Sequence, residues 1–106
     1  LLGPAGVRIP CARPGSRHVY HVYAVRSPER QRWIDALRAA GIQTGIHYPI
    51  PIHLLPAWAE LGHKRGDFVH AERAADEVLS LPMFPELTDA QCRDVAQAVI
   101  ALGPHA

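Results

Sequence analysis

The chain has 106 residues, 48% hydrophobic and 20% charged, a composition that fits one folded domain and excludes a disordered or fibrous chain. Eleven basic and ten acidic residues are dispersed along it for a net charge of +1, so it has no basic stripe of the kind nucleic acid requires. Its apolar runs fall far short of the roughly 18 residues of a membrane span, and neither nucleic acid nor membrane is an expected partner.

Residues 1–17 hold three prolines and three glycines without steady periodicity. They are expected to form an irregular arm leading in from a preceding domain, with residues 18–106 as the domain proper. The opening LLGPAGVRIP is too broken by Gly and Pro for a signal peptide. Cys11 and Cys92 are far apart and form no Cys-x-x-Cys pair, so two free thiols in a reducing cytoplasm are expected.

HVYHVYAVR, residues 18–26, is rich in Val and Tyr and predicts a strand covered on both faces. Ser27, Pro28 and Glu29 then supply an N-cap, a first helical proline and an acid at the positive end of the helix dipole. Trp33, Ile34 and Leu37 form the apolar stripe of that helix, and Gly41 its left-handed stop. Residues 42–48 predict a second strand. Residues 54–61 predict a short helix ended by Gly62, and GHKRGD predicts a turn. Asp67 is placed to cap a helix over about 68–77, which leads into a short strand in VLSLP. Thr88 and Gln91 make a capping box. Cys92, Val95, Ala96, Val99 and Ile100 follow at helical spacing, with Cys92 expected as a small buried hydrophobe, and Gly103-Pro104 closes the helix. The order predicts an α/β (α+β) sandwich, helices packed on a sheet of about three strands.

No self-sufficient catalytic constellation is present. There is no GxSxG elbow, phosphate loop, HExxH helix or cysteine pair, so neither a catalytic residue nor a metal site is expected within the chain. The one lysine, Lys64, lies in a polar turn, a poor place for a desolvated Schiff-base amine. Ser80 reads as a small structural residue, and Tyr20, Tyr23 and Trp33 as packing or interface residues.

The segment GIHYPIPIHLLPAW, residues 45–58, concentrates three prolines and two histidines. Pro49 and Pro51 fix φ and push Tyr48 and Ile50 out of the helical region, so residues 47–53 run extended and stiff. If strand alternation continues, His47 and Tyr48 face opposite ways. The residues alone weigh a proline-punctuated strand end, a histidine metal site, for which the ligand spacing is missing, and one wall of an active site completed elsewhere.

Taken with LGHKRGDF and AERAADEVLSLPMFPELT, this segment resembles the carboxyl-terminal part of the DegT/DnrJ/EryC1/StrS aminotransferases. The family pattern is roughly G-I-x-T-G-x-H-Y-P-x-P-x-H, then L-G, G-D-x-P, a helix with Glu, and L-S-L-P-x-x-P-x-L-T. Gly41, Ile42, Thr44, Gly45, His47, Tyr48, Pro49, Pro51, His53, Leu61, Gly62, Gly66, Asp67, Glu72, Leu79 to Pro82, Pro85, Leu87 and Thr88 match it, while Val69 replaces a common proline. The resemblance implies the small C-terminal domain of the fold-type I aspartate-aminotransferase fold, with a mainly antiparallel sheet of about three strands packed with helices. It further implies a bacterial, cytoplasmic homodimer that uses pyridoxal 5'-phosphate to move an amino group from glutamate or glutamine onto a keto-sugar, often nucleotide-linked. The cofactor lysine and most phosphate ligands would lie in a preceding large domain, leaving this segment inactive alone. His47, Tyr48 and His53 are then the substrate-binding candidates, Pro49 and Pro51 shape the wall, and for Glu72 a site role and a solvated helix face are both open. A dehydratase on the same fold and a stand-alone binding module are the alternative readings.

Overall fold

The computed structural model describes residues 1–2 and 7–103; Pro104, expected to help close the last helix, lies outside the described residues. In chain order come strand β1 (Tyr23–Arg26), helix α1 (Arg30–Ala39), 3-10 turns at Ile52–Leu54 and Pro56–Leu61, helix α2 (Val69–Glu77), strand β2 (Val78–Leu81) and helix α3 (Asp89–Ala101).

β1 and β2 pair antiparallel, with Tyr23 opposite Leu81, Ala24 opposite Ser80, Val25 opposite Leu79 and Arg26 opposite Val78. The strand predicted over residues 18–26 is confined to its last four because its partner runs out. The next pair would set Val22 against Pro82, which has no N–H to give the ladder. The strand predicted over 42–48 is reduced to one bridge, in which Gly45 N–H donates to the Ser80 carbonyl at 3.0 Å and Ser80 N–H to the Gly45 carbonyl at 2.7 Å. Beyond it, Pro49 and Pro51 lack the donors that further pairing needs. A second single bridge joins Arg8 to Arg26 on the other edge. The sheet is thus two strands flanked by one-residue bridges, not three full strands.

The core lies between this ribbon and the helices. Val25, Trp33, Leu37, Leu79 and Val99 are fully enclosed, with Ile34, Leu81 and Ala96 beside them. Each such large side chain contributes ~1.5–3 kcal/mol relative to exposure. The stripe predicted on α1 is the one buried. Leu2 and Val7, from the opening segment, join the same cluster. On α3 the buried seam narrows to Ala96 and Val99, while Cys92 is half-buried and Ile100 is exposed.

The helix ends follow local chemistry. Thr88 Oγ1 accepts from Gln91 N–H at 3.2 Å, and Gln91 Oε1 accepts from Thr88 N–H at 2.9 Å, the capping box read from the sequence. Gly41 takes φ 77° as the predicted left-handed stop of α1. Ser27 Oγ accepts from Glu29 N–H at 3.1 Å, one turn ahead of the first regular residue of α1. Asp67 does not cap α2: its carboxylate accepts from Lys64 N–H at 3.0 Å, and the N–H of Phe68 goes to Glu72 instead.

α2 passes directly into β2, and the junction is clamped. Glu77 bonds Arg26 on β1 at 2.8 Å and Arg73 at 2.7 Å. Arg73 first, and then Arg26, hold the Glu77 carboxyl below the ordinary glutamate range. Arg30 on α1 donates to the carbonyl of Ala75, tying α1 to α2. This clamp fixes the direction of β2, and with it the position of Ser80.

Candidate functional site

Ser80 is the middle of three adjacent backbones, with Ala24 across one edge and Gly45 across the other. Both neighbours are small, which leaves room beside its hydroxyl. That hydroxyl, on a residue only 5% exposed, lies 2.9 Å from Nδ1 of His47. The imidazole rests against Gly45, where a Cβ would come within 2.7 Å of its Cε1. A side chain at 45 would therefore displace the ring two residues on.

His47 itself is exposed, and Tyr48 is 74% exposed. Their ring centroids lie 5.6 Å apart at 86°, an edge-on pair. The opposite-facing arrangement that continued strand alternation would give does not occur: the two rings are neighbours, and ladder pairing ends at Gly45. Pro49 is exposed and Pro51 buried. Pro51, at φ −67° and ψ 146°, turns the ribbon into the first 3-10 turn, where Leu54 N–H donates to its carbonyl at 2.9 Å.

His53 stands on a different footing from His47. Its Nε2 bonds Glu72 Oε1 at 2.9 Å, with side chains only 8% and 7% exposed. The same carboxylate accepts the N–H of Gly66 at 2.8 and 2.9 Å and that of Phe68 at 3.2 Å. Glu72 is thus no solvated helix residue. It ties the proline ribbon to the turn at 62–68, and those bonds, Gly66 first, then Phe68 and His53, hold its carboxyl below the ordinary range. Phe68 covers the pair, its ring 4.8 Å from that of His53 and 5.1 Å from that of His63. Among the described residues no three His, Cys, Asp or Glu side chains converge as a metal would need.

The structure therefore joins His47 with Tyr48 and, separately, His53 with Glu72. The role of Ser80 was not visible in the sequence, where LSLP reads as a strand end. Its partner is 33 residues away, and only the bridge through Gly45 makes them neighbours. The one lysine, Lys64, belongs to the exposed turn.

The residues around this ribbon are those of a known family. The model of the DegT/DnrJ/EryC1/StrS aminotransferase family matches residues 4–100, and the chain belongs to that family. It is 44% identical over 91 residues to the "Pleiotropic regulatory protein" of Geobacillus stearothermophilus, covering 86% of this chain and 24% of that protein. It is 39% identical over 99 residues to the dTDP-3-amino-3,4,6-trideoxy-alpha-D-glucose transaminase of Streptomyces venezuelae, covering 93% and 26%. The crystal structure of S. venezuelae DesV in complex with a ketimine intermediate superposes with a TM-score of 0.88 at 36% identity, over 98% of this chain and 28% of that one. The fold expected from the resemblance, a small antiparallel sheet packed with helices, is the fold found. The chain spans about a quarter of the length of these relatives.

Proposed function

We propose that this chain is the C-terminal small domain of a pyridoxal-phosphate-dependent aminotransferase that moves an amino group from glutamate or glutamine onto a keto-sugar, often nucleotide-linked. The observation that carries this reading is the family match over residues 4–100, which includes the exposed His47–Tyr48 ribbon. The Streptomyces relative is a transaminase of a dTDP-linked sugar, which supports the substrate class.

In this reading a preceding large domain and a second subunit complete the site. His47 and Tyr48 contact the sugar or the donor carboxylate through their polar tips. Pro49 and Pro51 stiffen the wall, so that little entropy is left to lose on binding. His53 serves the same wall from beneath, held by Glu72. The residues present do not fit the cofactor: Lys64 is exposed in a polar turn, and no cofactor step is assigned to this chain. In the intact enzyme the cofactor supplies the electron sink, and the protein orients the reactants around it.

The test is a graft, in which this chain replaces the matching quarter of the S. venezuelae transaminase. The grafted enzyme is expected to aminate its keto-sugar, while the 106-residue chain alone neither develops a pyridoxal absorbance band nor turns over. A folded, cofactor-loaded graft without amination would overturn the proposal.

A further inference from the structure

We infer that Ser80 is a positioning residue that fixes the unprotonated imidazole of His47 as its Nε2–H tautomer, so that the ribbon offers a hydrogen-bond donor to an acceptor oxygen of the ligand. The tautomer follows from residues of this chain alone; only the identity of the ligand rests on the proposed function.

The argument is one of hydrogen-bond accounting. Ser80 is 5% exposed, and its own N–H and carbonyl are both committed to Gly45. Among the described residues its hydroxyl has one hydrogen-bond partner, Nδ1 of His47 at 2.9 Å. A hydroxyl carries one hydrogen and can also accept, whereas a neutral imidazole has one donor and one acceptor nitrogen. Two arrangements are possible. If Nδ1–H donated to Oγ, the hydroxyl hydrogen would be buried with no acceptor, a situation native structures avoid. If the hydroxyl donates to Nδ1, both groups are satisfied. The ring proton then resides on Nε2, which no described residue engages. Which nitrogen carries the proton is thus assigned from the network.

The seat supports the tether. Gly45 lies so close under the ring that an added Cβ would approach Cε1 to 2.7 Å, Nδ1 to 3.4 Å and Nε2 to 3.6 Å. Bridge pairing of Gly45 with Ser80 makes tether and seat one unit. A ring held both at one nitrogen and against the backbone has little freedom, which is what a specific donor requires. Its complement is an acceptor: a sugar hydroxyl or carbonyl oxygen, a phosphate oxygen or a donor carboxylate.

The test is the long-range proton–nitrogen spectrum of the 106-residue chain labelled with 15N-histidine, recorded above neutral pH. His47 is expected to show the Nε2–H pattern alone. Ser80→Ala is expected to return it to the mixed tautomers of a free imidazole, and Ser80→Thr, which keeps the hydroxyl, to restore the single pattern. A wild-type His47 protonated on Nδ1 would overturn the inference, even if Ser80→Ala failed to fold. So would identical His47 spectra in wild type and a folded Ser80→Ala. In the grafted transaminase, Ser80→Ala is expected to raise KM several-fold for the same substrate that His47→Ala affects, which distinguishes the sugar from the amino donor. A fixed tautomer with KM unchanged for both substrates would leave the positioning intact and remove the ligand-facing role.

Discussion

Replacing Gly45 with alanine separates what this residue does for stability from what it does for His47. The new Cβ would sit 2.7 Å from Cε1 of the imidazole, against a comfortable contact no shorter than about 3.4 Å. The ring must therefore move by about 0.7 Å. A displacement of that size, taken along the 2.9 Å bond to Ser80, carries it beyond hydrogen-bonding range. The atom in the way belongs to a side chain on an exposed residue, so the ring swings outward and the backbone bridge survives. The cost is one hydrogen bond with the Ser80 hydroxyl left unpaired, about 1–3 kcal/mol, offset in part by the ~0.4–1 kcal/mol that a Gly-to-Ala change contributes through the unfolded chain. Urea denaturation should find Gly45→Ala destabilised by no more than about 2.5 kcal/mol, while the His47 ring resonances shift markedly. A loss above about 3 kcal/mol, or unmoved His47 resonances, would refute the reasoning. The first would mean that the ring is locked in place, the second that it never sat against Gly45.

Acid stability offers a second check. The Glu72 carboxyl is held below its ordinary value of 4.5, chiefly by the N–H of Gly66, with Phe68 and His53 adding to it. A carboxyl depressed on folding stabilises above its unfolded pKa, and that stability is lost as pH falls through the folded value. The urea midpoint should therefore drop as pH is lowered below about 4.5. Glu72→Gln should lower the midpoint at neutral pH and make the acid limb shallower, although not flat, because Asp76 and Glu77 are depressed in the same sense. An unchanged acid limb in Glu72→Gln would remove Glu72 from the account. Thr88→Ala deletes one side of the capping box and should cost about 1 kcal/mol, seen as a Tm lower by roughly 4–8 °C; no change would mean that the end of α3 frays in wild type. Leu79→Ala empties a fully enclosed position between the sheet and the helices. It should cost about 2–5 kcal/mol, and a loss under about 1 kcal/mol would contradict the assigned core.

What the sequence disclosed was largely what short-range chemistry decides. Thr88 with Gln91, Gly41 at the end of α1, and the Trp33, Ile34 and Leu37 stripe are set by residues within a few positions of one another, so spacing reveals them. The ribbon expected to run extended over residues 47–53 was legible only in part, because proline acts on its own φ and on the residue before it: Pro51 is extended, but the chain bends at His47, Pro49 and Ile50 and enters a 3-10 turn at Ile52–Leu54. What escaped depended on distant pairing. The Ser80 to His47 bond spans 33 residues and the Glu72 to His53 bond spans 19, and neither has a local signature. Asp67 and Glu72 compete for the backbone donors at the start of α2. A propensity argument favours the aspartate just before the helix, yet the glutamate, folded back and enclosed, takes them. The strand lengths failed for a related reason: β1 can extend only as far as β2 offers donors, and Pro82 ends that offer. The candidate site was therefore visible as His47, Tyr48 and two prolines, but not as the serine and glycine that orient it.

The most direct test is steady-state kinetics of His47→Ala in the transaminase carrying this chain as its final segment. The account predicts that KM for the sugar, the amino donor or both rises about tenfold or more, equivalent to ~1.4 kcal/mol of lost contact, with the cofactor still bound and the fold unchanged. Wild-type KM values for both substrates in a folded His47→Ala enzyme would contradict it.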